Sequence, residues 1–246
     1  MTGGFRIDNL NGKNYHIDPG PGGLIRTYQF GLSPCDVDAI FVSHSHIDHY
    51  NDAEILIESI TKGMREKYGT LICSESVLNG YKNWGPSISS YHQAKSDKLI
   101  LKADTLLEIN GIKFKGTKTI HNDPTCVGFQ IDYNGFKLSY TSDTNYFDGL
   151  ADYHNGTDIL IGNIGRPGND FIEGHLSSCN FVDLINEIKP KLAIMNHFGL
   201  KMISANPDSE AEKISKKTDT NVIAAYDGLS LNIDYKNPEK FEIHGL

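Results

Sequence analysis

The chain has 246 residues, 39% of them hydrophobic and 22% charged, which is enough for a substantial core and ordinary for a soluble globular protein. Its formal net charge of −8 argues against broad electrostatic capture of nucleic acid, although a local basic patch stays open. No apolar run approaches the ~20 residues that a membrane-spanning helix needs.

Met1-Thr2-Gly3-Gly4-Phe5-Arg6 lacks a basic-then-apolar signal, so the cytoplasm is the expected location. Cys35, Cys73, Cys126 and Cys179 lie far apart with no C-x-x-C pair, which indicates neither a disulfide framework nor a zinc ribbon. Residues 7–10 and 14–17 flank Asn11-Gly12, a two-residue hairpin signal. The turn-rich Asp18-Pro19-Gly20-Pro21-Gly22-Gly23 ends that hairpin, and 24–30 reads as a short helix. The run Ala39-Ile40-Phe41-Val42 reads as a buried strand.

That strand delivers Ser43-His44-Ser45-His46-Ile47-Asp48-His49-Tyr50, dense in imidazoles beyond what a plain surface loop needs. Neutral imidazole and carboxylate oxygen are ligands of first-row metals, and a strand end holds such a loop rigidly. Asn51 and Glu54 are spaced like a capping box at the start of a helix over 53–64, with Ala53, Leu56, Ile57, Ile60 and Met64 on its core face. A strand over 70–73 precedes a helix running from Ser74 towards Tyr81. Residues 83–96 have no periodicity and read as a surface loop, a candidate for substrate contact or an interface.

Two hairpins follow, turning at Asn110-Gly111 (105–109 with 112–119) and Asn134-Gly135 (127–133 with 136–141). A strand over 158–161 leads into a Gly-rich loop, 162–170. Ser177 caps a helix with Phe181, Leu184, Ile185 and Ile188 on one face, ended by Pro190. A buried strand over 192–195, a polar helix over 207–217 and a closing hairpin of 221–225 with 229–233 complete the chain. With no linker, repeat or low-complexity tract, the expectation is one domain over 1–246, two sheets with helices on their outer faces.

Three more donors stand at strand ends. His121 follows 114–120, Asp143 follows 138–141, and His197 follows 192–195. Singly, His121 and His197 read equally as core-edge histidines and Asp143 as a turn former. Jointly with the His44 stretch they read as a ligand set.

The pattern His44-x-His46-x-Asp48-His49, then His121, Asp143 and His197, resembles the metallo-β-lactamase superfamily. Asp18-Pro19-Gly20 after an opening hairpin and Ser142-Asp143-Thr144 after a strand extend the resemblance over nearly the whole chain. It implies an α/β fold, the four-layer αββα sandwich of two mixed sheets flanked by helices, with a dinuclear site along one edge. By that similarity His44, His46 and His121 hold one divalent ion, Asp48, His49 and His197 the other, and Asp143 bridges them. Zinc is the usual metal; manganese and iron suit the same donors.

Within the superfamily, His121-Asn122-Asp123-Pro124-Thr125-Cys126-Val127-Gly128-Phe129 resembles the third-histidine motif of ribonuclease Z-like phosphodiesterases. Glu173-Gly174-His175-Leu176-Ser177 resembles their second-sphere histidine motif, whose histidine contacts the scissile phosphate and assists the leaving group; the plain alternative is a surface histidine before a helix. The tRNA-gripping arm of ribonuclease Z lies between the positions of His121 and Asp143, where this chain has little more than a hairpin. Extended tRNA binding is therefore doubtful.

The function implied is hydrolysis of a small or nucleotide phosphodiester by a metal-bridging hydroxide. Asp48 would ligate and orient, and His175 would act as general acid or phosphate contact. Arg166 reads as a phosphate contact or as an ordinary loop arginine. The alternatives are a carbon-ester hydrolase (lactonase or thioesterase) on the same metals, and a tRNA 3′-processing endoribonuclease. Flavodiiron-type redox chemistry is disfavoured because His46 stands where those relatives usually carry an acid and no flavodoxin-like segment follows, and a non-catalytic scaffold because all seven ligand positions are filled. The expected partners are a small-molecule or short-nucleotide substrate and no membrane, with room for a homodimer.

Overall fold

The computed structural model describes residues 4–238 and 240–245, so the opening Met1-Thr2-Gly3 of the N-terminal stretch lies outside the described residues. The chain divides into two compact units, one running to Lys102 and including Thr125–Val127, the other formed by Ala103–Pro124 and the residues from Gly128 onward.

In the first unit a five-stranded sheet has the order β1 (Phe5–Leu10), β2 (Lys13–Ile17), β3 (Ala39–Val42), β4 (Thr70–Cys73), β5 (Asp97–Ile100). β1 and β2 are antiparallel, and Asn11 and Gly12 between them both have positive φ, as a type I′ turn requires. β2 to β5 run parallel. Every residue of β3 is buried, which explains its unbroken apolar sequence. The helices are α1 (Gly23–Gln29), α2 (Ile47–Tyr50), α3 (Ala53–Ile60), α4 (Glu75–Asn79) and α5 (Ser90–Gln93). The buried face of α3, Ala53, Leu56, Ile57 and Ile60, packs in one core with Ile40, Val42, Leu71, Val77 and Ile88.

Local chemistry corrects several expectations here. The helix expected through residue 64 stops at Ile60, because Lys62, Gly63 and Met64 all take positive φ. The Thr61 hydroxyl ties this end by donating to Ile57 O (2.6 Å) and accepting from Met64 N (3.2 Å), so Met64 stays buried without being helical. The Asn51–Glu54 capping box does not form: Asp52 is the N-cap, and Glu54 accepts from Ser89 N (2.7 Å). Residues 83–96 are more than a loop, since Ile88 is buried and Ser89 caps α5. β5 carries no strand signal in its sequence, because only Leu99 and Ile100 of its four residues are apolar.

The second unit is built on a larger mixed sheet, with strands β6 (Leu106–Ile109), β7 (Ile112–Lys118), β8 (Val127–Tyr133), β9 (Phe136–Tyr140), β10 (Ile159–Arg166), β11 (Leu176–Ser177), β12 (Leu192–Asn196) and β13 (Asn221–Ala224). Their order is β13-β12-β10-β9-β8-β7-β6, with β11 joined to β10. The hairpins β6–β7 and β8–β9 are antiparallel as expected, whereas β9, β10, β12 and β13 run parallel. Helices α6 (Leu150–Tyr153), α7 (Ser178–Ile188), α8 (Leu200–Ser204) and α9 (Pro207–Thr218) accompany it. α7 starts with a capping box between Ser177 and Asn180, and its Phe181, Leu184, Ile185 and Ile188 pack with Leu160, Met195, Ile214 and Val222.

Two expectations fail in this unit. The Gly-rich stretch from 162 is strand as far as Arg166, and Gly162 is there because a Cβ would lie 2.5 Å from the Phe181 ring of α7. The closing hairpin does not exist either. Residues 221–224 pair in parallel with β12 after the α9 crossover, while β14 (Ser230–Ile233) pairs with β15 (Phe241–His244) in a separate two-stranded sheet. Among the described residues no helix is long and apolar enough to cross a membrane. The architecture matches the expected two mixed sheets with flanking helices.

Candidate metal centre

In the first unit the donors are assembled around Asp18, at the end of β2. This residue is wholly buried and takes φ +46°, with its N–H on Phe41 O at 2.8 Å. Its carboxylate accepts from Ser43 N (2.7 Å), Ser43 Oγ (2.7 Å) and His49 Nδ1 (2.9 Å). Because the Ser43 hydroxyl proton goes to Asp18, the oxygen accepts from His44 Nδ1, 2.9 Å away. The hydrogen-bond network thus assigns Nδ1–H tautomers to His44 and His49, leaving the lone pair of each on Nε2. His46 presents Nδ1 3.0 Å from His44 Nε2, and α2 carries Asp48 beside His49, their Oδ2 and Nε2 3.9 Å apart.

In the second unit the centre is Asp143, which follows β9 through Ser142 (φ +55°) and is almost fully buried. Its Oδ1 accepts from Asn163 Nδ2 at 2.7 Å, and the same amide donates to Tyr140 Oη at 2.9 Å. Its Oδ2 faces His175 Nδ1 (3.6 Å) and His197 Nε2 (3.5 Å). The His175 ring lies against His121 and His197, with centroids at 5.4 and 6.0 Å. His121 donates from Nδ1 to Gly174 O (3.0 Å), a carbonyl that can only accept, so its lone pair is also on Nε2. Gly174 takes φ +82°, and a Cβ there would come 2.6 Å from His121 Nδ1. Asn145 fixes this approach by accepting Gly174 N at 2.6 Å. Asp18, Ser142 and His197 (φ +57°) all hold left-handed backbone at non-glycine residues, a cost of roughly 1–3 kcal/mol each that the surrounding structure sustains.

The structure therefore gathers His44, His46, Asp48 and His49 in one unit and His121, Asp143, His175 and His197 in the other. Arg166 ends β10 with Nε 3.9 Å from Asp170 Oδ2. The sequence did not reveal Ser43, Asn145 or Asn163 as the groups that orient these side chains. The donor chemistry fits divalent metal: imidazole and carboxylate groups able to hold an ion, with oxygens of Asp18, Ser43 and Gly174 setting the imidazole tautomers. Two further histidines are buried for other reasons. His16 and His154 are each lowered to about 3 by burial, with the charges of Arg6 and Lys115 adding respectively.

A family profile described as the beta-lactamase superfamily domain matches residues 13–198. An uncharacterized protein of Methanocaldococcus jannaschii is 42% identical over 235 residues, covering 94% of this chain and 87% of its own. A metal-dependent hydrolase of Sulfolobus acidocaldarius is 27% identical over 225 residues, covering 85% and 87%. Among solved structures, the metallo-β-lactamase fold protein YhfI of Bacillus subtilis superposes with a TM-score of 0.75 at 18% identity, over 92% of this chain and 89% of its own. A diphosphatase of the PhnP family does so with 0.66 at 21%, over 92% and 82%. Human tRNase Z, short form, gives 0.65 at 15%, over 92% and 90%. These likenesses give the metallo-β-lactamase fold.

Proposed function

The chain belongs to the metallo-β-lactamase superfamily as a metal-dependent hydrolase, and we propose that it cleaves a small or nucleotide phosphodiester at a dinuclear centre, as one domain acting in the cytoplasm. His44, His46 and His121 would hold one ion, Asp48, His49 and His197 the other, and Asp143 both. When bound, two divalent ions supply Lewis-acid polarisation and a water acidified to near neutral pH. Zinc is the proposed pair, with manganese or iron as the alternatives to be settled by metal analysis.

His175 carries the choice of substrate. It is a titratable ring set against Asp143, His121 and His197, yet it is not one of the proposed ligands. An imidazole there can hold a proton and pass it to the departing oxygen as the phosphorus–oxygen bond breaks and water adds to phosphorus. Asp48, partly exposed, would accept a hydrogen bond from that attacking water. The diphosphatase and the tRNase Z of the same fold favour a phosphorus ester. The ribonuclease Z-like arm is lacking, since only the β8–β9 hairpin lies within the stretch from His121 to Asp143, which favours a compact substrate over tRNA.

The test is turnover of bis(p-nitrophenyl) phosphate by metal-analysed protein beside a lactone and a thioester, with His175→Ala in parallel. Diester cleavage that depends on metal and falls by roughly 10²–10⁴ in the variant is expected. Cleavage of the carbon esters alone, indifferent to His175, would replace this proposal with the lactonase or thioesterase alternative.

A further inference from the structure

Within the second unit, β7, β8 and β9 border a cleft of about 390 Å³, a size usual for small-molecule sites. Lys113 and Lys115 of β7, Lys137 of β9 and Gln130 of β8 line it. Lys113 and Lys115 alternate with the buried Ile112 and Phe114, so the strand period turns both away from the core. None of these residues belongs to the proposed metal centre. Lys137 stands near the start of β9, whereas Asp143 follows its end.

In an antiparallel ladder a lysine is ordinarily answered by an acid on the strand opposite. Glu108 does stand opposite Lys113, and Asp132 opposite Lys137. Yet among the described residues no carboxylate forms an ion pair with any of the three ammonium groups. The two acids that line the cleft are engaged by their own turns. Asp132 Oδ1 accepts from Gly135 N (3.2 Å), and Asp152 Oδ2 lies back over Gly149, 3.4 Å from where a Cβ would stand. Gly156, in left-handed backbone, leaves Lys137 Nζ uncovered, since a Cβ there would lie 3.4 Å from it. Three cations are thus left without an anion around one cleft.

Gln130 adds a second feature. It is only 8% exposed, and its Nε2 reaches Thr157 Oγ1 (2.8 Å), Asn155 O (3.2 Å) and Ser139 Oγ (3.3 Å). The Asn155 carbonyl can only accept, which fixes the amide with nitrogen on that side. Among the described residues nothing donates to Oε1, an acceptor on a held side chain that the fold itself does not use.

We propose that this cleft binds a small phosphate ester of a polyol, with the phosphate on Lys113, Lys115 and Lys137 and a hydroxyl donating to Gln130 Oε1. Ammonium groups are point charges suited to phosphate, and a hydroxyl supplies the donor that the amide oxygen lacks. The site is independent of the phosphodiester reading, because its test reads binding and not turnover.

Calorimetry of the metal-loaded protein with glucose 6-phosphate, inorganic phosphate and glucose tests this. The buffer holds salt at about 0.15 M, which screens charges that are not in contact. The proteins are wild type, Lys115→Gln, Lys137→Gln and Asp143→Asn. Glucose 6-phosphate should bind saturably, about tenfold more tightly than phosphate, and glucose should not bind. Each lysine variant should weaken it by about tenfold, and Asp143→Asn should keep it. Urea unfolding of both lysine variants should match wild type, because neither ammonium group pairs within the fold. No saturable binding, or binding that both lysine variants leave unchanged, overturns the site. Binding lost in Asp143→Asn but kept in the lysine variants would place the ester at the proposed metal centre instead and also overturn it. Equal affinity for phosphate and glucose 6-phosphate would overturn the assignment of a polyol ester.

Discussion

Replacing Asp18 by Asn keeps the shape of the side chain and changes which atoms it can accept from. In the native chain one buried carboxylate takes Ser43 N and Ser43 Oγ at 2.7 Å and His49 Nδ1 at 2.9 Å. An amide oxygen can keep Ser43 N, but an NH2 group then stands where Oδ2 accepted from the hydroxyl and the imidazole. Two charge-assisted bonds, each worth about 1.5–3 kcal/mol, are lost, and rotation of the hydroxyl recovers part of that. The expected net is about 3 kcal/mol in the metal-free protein, a large share of a total near 5–15 kcal/mol. The proton pattern also inverts. The amide donates to His49 Nδ1 and to Ser43 Oγ, and Ser43 then gives its own proton to His44 Nδ1, so both rings carry hydrogen on Nε2. Each proposed ligand loses its lone pair through one substitution, and metal affinity should fall by about a hundredfold, the upper end for changing a group that hydrogen-bonds to a ligand. Competition with a chromophoric chelator reads the affinity, and urea unfolding of the metal-free protein reads the stability. Affinity within about twofold of wild type, alongside lowered stability, would refute the tautomer argument; no change in either would refute the network itself.

Other changes follow from the same geometry. Gly174→Ala meets both the left-handed backbone and the 2.6 Å approach to His121, and should cost about 2 kcal/mol in urea unfolding and weaken metal binding. Asn163→Leu removes the amide that donates to Asp143 and Tyr140, and should cost about 1–3 kcal/mol by the same assay. Stability should also fall with acid through His16 and His154, whose folded pKa values near 3 lie below the ordinary 6.5. Below pH 6.5 the unfolded chain binds protons that the native chain refuses, so each histidine removes about 2 kcal/mol between pH 6.5 and 5, approaching its full effect near pH 3. Urea titrations at pH 7 and 5 measure this, and His154→Leu should flatten the slope by one proton.

Elements whose sequence carried their own environment could be read in advance. β3 is apolar throughout because it is buried throughout, and the Asn-Gly turns mark their hairpins because few other pairs accept positive φ twice. The histidine cluster was legible since imidazole and carboxylate donors are scarce and must sit at strand ends. What failed depended on partners distant in sequence. Residues 162–166 looked like a loop because glycine normally weakens a strand, whereas Gly162 is selected by the ring of Phe181. Residues 221–224 looked like half of a hairpin because parallel pairing with β12 leaves no local trace. Asn163 and Asn145 were invisible as orienting groups for the same reason: an asparagine in a strand or turn has no signature until the carboxylate or N–H it serves is in place.

The hydroxyl, carboxylate and carbonyl partners that hold His44, His49 and His121 belong to the chain itself. On the proposed ligand set, these bonds would aim the imidazoles whether or not an ion is bound. This separates the protein from small zinc modules, in which the ion and the fold come and go together. With those ligands, metal stripped from the protein by a chelator should cost activity that added ions restore, without unfolding the chain.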